Sequence, residues 1–303
     1  MKRRDFIQKT AAGSALLTLG GLSLSSFDAP NVKKITILHT NDVHSHIDPF
    51  EINDPKYPNM GGAARRATLI DKIRKENDNV LLLDAGDIFQ GTPYFNYYGG
   101  ELEFKVMSMM KYDLATLGNH DFDNGIDGFN AQLPHAKFDF VSANYDFKNT
   151  VLNGIVKPYK TFIKNGLKIG IFGLGIELSG LVDKKLYKET LYNDPIAVAQ
   201  DMSRILKVNE KCDLVICLSH LGFIYPNDPQ KISDIVLART TKNIDLIIGG
   251  HTHTFLTKPY IEKNLNGDEV LINQVGCYGL NLGQIDFYFE QGAKRSSGKV
   301  INV

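Results

Sequence analysis

The sequence is poor in cysteine, with three residues among 303, and it has no excess of charge of either sign. The odd number and wide spacing of Cys212, Cys217 and Cys277 argue against a disulfide framework, so we expect small buried hydrophobic side chains at these positions. Acidic and basic residues number 34 each, which argues against a protein that binds nucleic acid through bulk charge. The chain also lacks an internal repeat. Its 43% hydrophobic content is ordinary for a globular protein with a sizeable core.

The first thirty residues contain no cysteine, which excludes a lipid-attachment site there. A basic start, Lys2-Arg3-Arg4, precedes an uncharged and mildly apolar run from Thr10 to Phe27. This pattern is typical of an export signal, and Arg3-Arg4-x-Phe6-Ile7 resembles the twin-arginine type. An uncleaved membrane anchor is the alternative, which the high Ser and Gly content of the run disfavours. We therefore predict an export signal at residues 1–30, a mature chain at 31–303, and a periplasmic or secreted location without a stable membrane anchor.

Apolar runs of strand length alternate with amphipathic segments along the mature chain, which predicts an α/β fold. Asn165-Gly166 between two such runs predicts a hairpin with a type I′ turn. Helical spacing of apolar residues from Ala63 onward predicts a helix whose arginines, Arg65 and Arg66, form its solvated face. The Ser- and Lys-rich tail after Glu290 is expected to fray.

Five of the predicted strands end in residues that bind metals. These residues are Asp42 with His44, Asp87, Asn119, His220, and His251 with His253. Because ligands collect at the carboxyl ends of strands in α/β sheets, we expect the seven side chains to converge. Seven ligands are too many for one tetrahedral ion and suit two ions that share the Asp87 carboxylate.

A pair of ions has a definite chemistry. Two cations about 3.5–4 Å apart favour in-line displacement at phosphorus, and they lower the pKa of a bridging water so that a hydroxide nucleophile exists near neutral pH. The mixed nitrogen and oxygen ligands admit Zn, Mn, Fe or Mg, and the sequence does not choose among them.

Other polar residues near the strand ends have predicted roles that do not involve metal binding. His120 directly follows the ligand Asn119, and we expect it to donate a proton to the leaving oxygen or stabilise charge there, with Asp123 orienting the imidazole. Asn144, at the end of another predicted strand, either contacts substrate or closes a turn, and the turn is slightly favoured. His39, His46 and His135 have no predicted metal role, although His39 is a candidate neighbour of the ligands.

The ordered motifs of the chain resemble those of the 5′-nucleotidase family of calcineurin-like metallophosphoesterases. The matching segments are Ile37-Leu38-His39-Thr40-Asn41-Asp42-Val43-His44, Gly61-Gly62-x-Ala64-Arg65, Asp84-Ala85-Gly86-Asp87, Gly118-Asn119-His120-Asp121-Phe122-Asp123, Ser219-His220, Gly249-Gly250-His251-Thr252-His253 and Gln274-x-Gly276-x-Tyr278-Gly279. The resemblance implies a two-sheet β-sandwich flanked by helices (αββα). It also implies His120 and Asp123 as the catalytic pair, and it divides the metal ligands into two sets that share Asp87. The first set is Asp42, His44, Asp87 and His253, and the second is Asp87, Asn119, His220 and His251.

Two departures from the family pattern stand out. The common form has Glu at the position of Asp121, which binds no metal in that pattern. Family members also carry a C-terminal domain that holds the nucleotide, and this sequence has no counterpart to it. Either a separate nucleotide-binding polypeptide supplies that domain or the enzyme is less selective.

We therefore predict a secreted two-metal phosphomonoesterase that hydrolyses 5′-nucleotides or related small phosphate esters. A 2′,3′-cyclic-nucleotide phosphodiesterase with the same metal pair is the first alternative. A catalytically idle metal-binding subunit is the second, and the His120–Asp123 pair argues against it, because a mere metal holder needs neither residue.

Overall fold

The computed structural model describes residues 32–303, so the predicted export signal lies outside the described residues. Two six-stranded sheets form the centre of the fold. The first sheet has the spatial order β14-β13-β1-β2-β3-β4, made of Ala293–Asn302, Asn281–Glu290, Lys33–Thr40, Val80–Asp84, Leu114–Ala115 and Asp139–Phe140. The second has the order β11-β12-β10-β9-β7-β6, made of Tyr260–Lys263, Glu269–Asn273, Leu246–Gly249, Leu214–His220, Leu167–Gly175 and Tyr159–Lys164. A small ribbon pairs β5, Tyr145–Asp146, with β8, Leu191–Tyr192.

Seven α-helices flank the sheets within the described part of the chain. They are α1 (Ala63–Glu76), α2 (Pro93–Tyr98), α3 (Glu101–Met109), α4 (Gly125–Gln132), α5 (Lys184–Tyr187), α6 (Pro195–Arg204) and α7 (Asp234–Thr240). Between residues 32 and 303, no helix combines the length and hydrophobicity that a membrane span requires.

Three apolar clusters show why the sheets stack. Successive residues of a strand point to opposite faces, and both faces of the central strands are apolar. In β1, Ile35 and Ile37 point between the two sheets, while Leu38 points toward the helices on the outer side. The third cluster lies on the far side of the second sheet, where α6 and α7 cover Phe172 and Ile247. These layers are the two-sheet sandwich flanked by helices that the resemblance implies, so that prediction is confirmed.

The direction of the strands explains where polar loops meet. β1, β2 and β3 are parallel neighbours, and so are β7, β9, β10 and β12. Loops that follow the parallel strands within a sheet therefore leave from one edge. The loops after β1 and β10, which belong to different sheets, are joined by a hydrogen bond from the backbone N–H of His251 to Asp42 (2.9 Å). The carboxyl ends of both sheets thus lie side by side.

Several local predictions are confirmed. The hairpin of β6 and β7 turns at Asn165 and Gly166, which both have positive φ (52° and 67°), as a type I′ turn requires. The three cysteines are free and buried. β3 and β4, by contrast, are only two residues long, shorter than the apolar runs predict.

The prediction that the tail frays is wrong. Residues Ala293–Asn302 form the edge strand β14, which pairs antiparallel with the whole of β13. A two-residue turn at Gln291 and Gly292, with φ of 49° and 82°, connects the two strands. Since the pairing depends on backbone hydrogen bonds, the polar composition of the tail gave no signal for it.

The prediction for Arg66 is also wrong. Arg65 is exposed, as expected, but Arg66 is 1% exposed and lies on the buried face of α1 with Ala63 and Ile70. Its Nε and Nη1 atoms have no hydrogen-bond partner among the described residues. The helical period places position 66 on the same stripe as the apolar residues, whatever the side chain.

The core makes a direct stability prediction. Ile37→Ala removes a fully buried side chain between the sheets and should lower the free energy of unfolding by about 2–5 kcal/mol, because it leaves a cavity. Urea denaturation monitored by circular dichroism measures the change. The matched control Ile163→Ala, at a side chain that is 75% exposed, should change it by no more than about 0.5 kcal/mol. Equal effects of the two variants would contradict this packing.

Candidate metal centre

The seven predicted ligands lie where the strands of both sheets end. Asp42 and His44 follow β1, Asp87 follows β2, and Asn119 lies beyond β3. His220 is the last residue of β9, and His251 and His253 follow β10. Their metal-binding atoms form two adjacent groups.

The first group contains Asp42, His44 and His253, whose nearest ligand atoms all lie within 4.8 Å of one another. Nε2 of His44 is 3.0 Å from Nε2 of His253, and the latter atom is 3.4 Å from Oδ1 of Asp42. Two imidazole nitrogens and a carboxylate oxygen thus face one point.

The second group contains Asp87, His220 and His251, again within 4.8 Å of one another. Nε2 of His220 is 3.0 Å from Oδ2 of Asp87, and Nδ1 of His251 is 2.9 Å from Oδ1 of Asn119. Oδ2 of Asp87 is also 3.8 Å from Nε2 of His44 in the first group. Asp87 therefore lies between the two groups, where a shared carboxylate is expected.

The tautomers of two histidines fit metal binding. Nδ1 of His44 is 3.3 Å from the carbonyl oxygen of Phe89, and Nδ1 of His220 is 2.7 Å from that of Ala85. A carbonyl oxygen only accepts, so each Nδ1 carries a proton, and each Nε2 is the nitrogen that a cation can bind once it carries no proton itself.

A buried nitrogen atom without a hydrogen-bond partner supports the same conclusion. Nε2 of His220 is fully buried and makes no aligned hydrogen bond, although the Asp87 carboxylate is 3.0 Å away. Two polar atoms that lie this close without forming a hydrogen bond have the arrangement expected of two ligands of one cation. The residues present therefore fit divalent cations with nitrogen and oxygen ligands.

The charges of the site also favour cations. Burial alone would raise the pKa of Asp87, but the neighbouring His220 lowers it. Burial opposes protonation of His220 and His253 as well, yet the Asp87 and Asp42 carboxylates raise the pKa of His220 to about 10, and Asp42 raises the pKa of His253 to about 10. Burial lowers the pKa of His251 to about 4, so this ligand is neutral at pH 7. Cations that bind here must displace protons from His220 and His253.

The backbone at the ligands is unusual. Five ligand residues have φ between 49° and 73°, a region that few residues other than glycine adopt: Asp42, His44, Asp87, His251 and His253. The side chains of Asp42 and His44 are brought together by a turn in which both residues have left-handed backbone. Strained backbone of this kind clusters at functional sites.

Asp42 links four loops at the site. Its backbone N–H donates to the carbonyl of Gly86 (2.9 Å), its carboxylate accepts from the N–H of His251, and its carbonyl accepts from the N–H of Tyr278 (2.7 Å). The neighbouring Asn41 also binds the last loop, because its amide donates to the carbonyl of Gly276 (2.6 Å). The loops after β1, β2, β10 and β12 are thus held in one arrangement.

The loops after β2 and β3 are joined by Asp121. Its fully buried carboxylate accepts hydrogen bonds from the N–H of Gly118 (2.7 Å) and from the N–H groups of Asp87, Ile88 and Phe89 (3.0–3.2 Å). Burial and the charge of Asp87 raise the pKa of Asp121, while these N–H groups oppose the rise. The sequence analysis missed this role, since a carboxylate three residues after a glycine gives no local signal for it.

Gly118 allows the loops after β2 and β3 to approach each other closely. Its φ is not in the left-handed region, so the glycine is not required by the backbone conformation, but a Cβ at this position would collide with Oδ1 of Asp87. The same oxygen accepts the N–H of His120 (2.8 Å). Only glycine lets the two loops approach closely enough for the site to form.

The predicted catalytic pair is present. Nδ1 of His120 is 2.8 Å from Oδ2 of Asp123, and this hydrogen bond raises the pKa of His120 even though burial opposes the rise. The His120 ring is partly exposed and lies 5.3 Å, centroid to centroid, from the ring of His44. His120 therefore lies beside the metal-binding groups without belonging to them.

Asn144 and His39 lie away from the metal-binding groups. Asn144 is fully buried, and its side-chain amide exchanges two hydrogen bonds of 2.8 Å with the backbone of Gly175. The amide thus joins this segment to the end of β7, 31 residues further along the chain, and both of its polar atoms are used there. His39 is fully buried and accepts from the amide of Asn273 (2.9 Å), and burial lowers its pKa to about 3. Neither residue lines the two cavities at the metal-binding groups.

Two cavities open beside the metal-binding groups. One, of about 430 Å³, is lined by His44, His46, Phe50, Gln90, Gly91, His120, His253 and Tyr278. The other, of about 620 Å³, reaches the groups only at His251 and extends past Glu177, Tyr192 and Asp194. His120 lines the first cavity and not the second.

Comparisons with known proteins agree with this geometry. The sequence profile described as "Calcineurin-like phosphoesterase" matches residues 35–255. The chain is 35% identical over 294 aligned positions to "Snake venom 5'-nucleotidase" of Naja atra, which covers 88% of this chain and 53% of that protein. It is 34% identical over 289 positions to "Trifunctional nucleotide phosphoesterase protein YfkN" of Bacillus subtilis (strain 168), covering 85% of this chain and 18% of that protein.

A solved structure has the same fold. The 5′-nucleotidase precursor of Thermus thermophilus superposes with a TM-score of 0.81 at 32% identity, covering 89% of this chain and 55% of that chain. The present chain thus spans about half the length of its 5′-nucleotidase relatives. The family match at residues 35–255 contains every predicted ligand.

Metal content tests the centre directly. Protein loaded with Mn²⁺ or Zn²⁺ and desalted should carry about two equivalents per chain by plasma mass spectrometry, since two ligand groups are present. His220→Ala should lose at least one equivalent, because it removes a ligand of the second group. The matched control His135→Ala, at a histidine outside both groups, should keep both. Full occupancy in His220→Ala would contradict the assignment.

The Asp121 carboxylate makes a second prediction. Asp121→Asn keeps the size of the side chain but turns an amide N–H₂ toward backbone donors, so the loops that carry Asp87 and Asn119 should shift. Metal affinity, measured by competition with a chromogenic chelator, should fall about 10- to 100-fold. The control Asp127→Asn, at an exposed position on α4, should leave the affinity unchanged. An unchanged affinity in Asp121→Asn would remove its positioning role.

Proposed function

Because the chain belongs to the calcineurin-like phosphoesterase family, we propose that it is a metal-dependent phosphomonoesterase with 5′-nucleotides as its substrate class. One observation carries the proposal. His44 and His253 of the first metal-binding group line one cavity of about 430 Å³ together with His120 of the His120–Asp123 pair, and the second group adjoins the first through Asp87. This volume is within the usual range of small-molecule sites. A site that only stored metal would need no orienting carboxylate for a histidine that binds no metal.

The ligand residues would hold two cations. Asp42, His44 and His253 would hold one, Asn119, His220 and His251 the other, and the Asp87 carboxylate would be shared. When bound, such a pair supplies a water of lowered pKa and positive charge beside the phosphate group. The metal identity stays among Zn, Mn, Fe and Mg, because the ligand set admits all four.

The remaining chemistry belongs to residues of the chain. The Nδ1–H of His120 donates to Asp123, which leaves Nε2 as the atom that can carry a second proton toward the cavity. A protonated His120 would give that proton to the leaving oxygen or neutralise its charge, and Asp123 would hold the ring in place. Ring orientation and proton donation together account for both members of the pair.

A broader range of esters is the second candidate function. The Bacillus subtilis relative is named a trifunctional nucleotide phosphoesterase, which favours more than one type of nucleotide ester as substrate. The same residues would act on a 2′,3′-cyclic nucleotide, since the leaving group in either case is an oxygen on phosphorus.

The site lies in the proposed catalytic domain, residues 31–303. We propose export of this domain to the periplasm or the medium through the twin-arginine-type motif at Arg3 and Arg4, a proposal that rests on the sequence alone. A separate nucleotide-binding polypeptide stays a prediction from the family resemblance.

His120 gives the decisive test. His120→Ala in metal-loaded protein should lower kcat by about 10²- to 10⁴-fold with both metal equivalents retained, because it removes the proton donor and not a ligand. Hydrolysis of AMP, 2′,3′-cyclic AMP and p-nitrophenyl phosphate should be measured side by side. His135→Ala should match the wild type. If metal-loaded wild type hydrolyses none of the three, the protein is an idle metal binder and the proposal fails.

A further inference from the structure

Aromatic side chains form one side of the cavity that contains His120. His46, Phe50 and Tyr278 line the cavity together with His44 and His253. Tyr57 and Phe255 continue the same aromatic surface, with ring centroids 5.3 Å from Phe50 to Tyr57 and 6.4 Å from Tyr57 to Phe255. We call these five residues, His46, Phe50, Tyr57, Phe255 and Tyr278, the aromatic wall.

The aromatic wall directly adjoins the metal-binding groups. The Tyr278 ring centroid is 5.9 Å from that of His44 and 5.8 Å from that of His253. On its other side, the Tyr278 ring centroid lies 4.3 Å from that of His46 and 5.9 Å from that of Phe50. A phosphate group held at His44 and His253 would therefore place its ester substituent within reach of these rings.

Hydrogen bonds hold the aromatic wall in place. The N–H of Tyr278 donates to the carbonyl of Asp42 (2.7 Å), and Nδ1 of His46 donates to the carbonyl of His44 (2.9 Å). Phe50 donates its N–H to Met60 (2.9 Å), which closes the loop that contains Tyr57. A binding surface that is ordered before the ligand arrives loses less entropy on binding.

The cavity favours an uncharged aromatic substituent. None of its lining residues is Asp, Glu, Lys or Arg. Aromatic faces attract planar π systems through stacking, whatever the hydrogen-bond pattern of the ligand. Besides the histidines, Gln90, which is exposed at the cavity, and Tyr278 can hydrogen-bond a sugar or base edge there.

The second cavity is a weaker candidate for the same substituent. It reaches the metal-binding groups only at His251, it contains the charged side chains of Glu177, Asp194 and Lys231, and it does not include His120. If His120 acts at the leaving oxygen, the leaving group must extend into the cavity that His120 lines.

We propose that the aromatic wall is the subsite for the nucleobase of a nucleotide whose phosphate lies at the metal centre. This inference rests on the proposed function, since it assigns the part of the substrate that the metal-binding groups do not contact. It locates base recognition within this chain, on the loops after β1, β10 and β12, the first two of which also carry predicted metal ligands.

The test compares two substrates that differ only in the base. AMP and ribose 5-phosphate share the sugar and the phosphate, so the ratio of their kcat/KM values isolates the base. Phe50→Ala should lower this ratio about 5- to 150-fold, the range that stacking of one base on one aromatic side chain provides, mainly through KM for AMP. Phe50→Tyr should restore the ratio, because it restores the ring.

Control variants and a binding measurement complete the design. Tyr192→Ala removes an aromatic ring from the second cavity and should leave the AMP to ribose 5-phosphate ratio unchanged. Saturation-transfer NMR with adenosine and metal-free protein reports contact without any turnover. Saturation should reach the base protons H2 and H8 more than the ribose protons, and Phe50→Ala should remove this difference.

Each contrary result has a separate meaning. If wild type hydrolyses neither substrate, the proposed function fails, while adenosine NMR still tests the aromatic wall. If Phe50→Ala lowers both kcat/KM values equally, or adenosine receives no saturation, the aromatic wall does not bind the base and the inference is overturned. A changed ratio in Tyr192→Ala would place the base in the second cavity and overturn the inference.

Discussion

The site depends above all on the hydrogen bonds of Asp42, which join loops from both sheets. Its N–H binds the loop after β2, its carboxylate binds the N–H of His251 after β10, and its carbonyl binds the N–H of Tyr278 after β12. A single residue thus relates the two halves of the sandwich, and it is also a candidate metal ligand. Each metal-binding group takes residues from both sheets, so any shift of one sheet against the other would separate the residues within each group.

The strained backbone of the ligands makes sense in this arrangement. The left-handed backbone of five predicted ligand residues is unfavourable in free energy, and contacts with the surrounding structure must offset this cost. Asp121 provides such contacts for the Asp87 loop, with its carboxylate on four backbone N–H groups, and Gly118 leaves room for the neighbouring strand end. These hydrogen-bonded loops keep the predicted ligand atoms close together. Cations that bind there only in the folded state would stabilise it, so metal binding and the stability of this edge should be coupled.

The aromatic wall connects the metal centre with substrate choice. Tyr278, a member of the aromatic wall, lies beside the candidate ligands His44 and His253, and its backbone N–H donates to the carbonyl of Asp42. The residues that recognise the base would then be joined directly, by chain connection and hydrogen bonds, to the residues that act on the phosphate. The snake venom and Thermus thermophilus relatives are about twice as long, so the part of the molecule described here is the part that they share with it.

The sequence by itself determined the alternation of strands and helices, the strand ends where polar residues collect, and the identity of the metal-capable side chains, because these depend on local periodicity and residue chemistry. It misjudged Arg66 and the tail after Glu290, where burial and pairing depend on what lies opposite in space. It gave no role to Asp121 and no sign of the aromatic wall, since positions from 46 to 278 come together only when the sheets stack. The tertiary structure decided which strand ends meet, how Asp87 comes to lie between two groups and which cavity His120 faces, because these are distances between residues far apart in the chain.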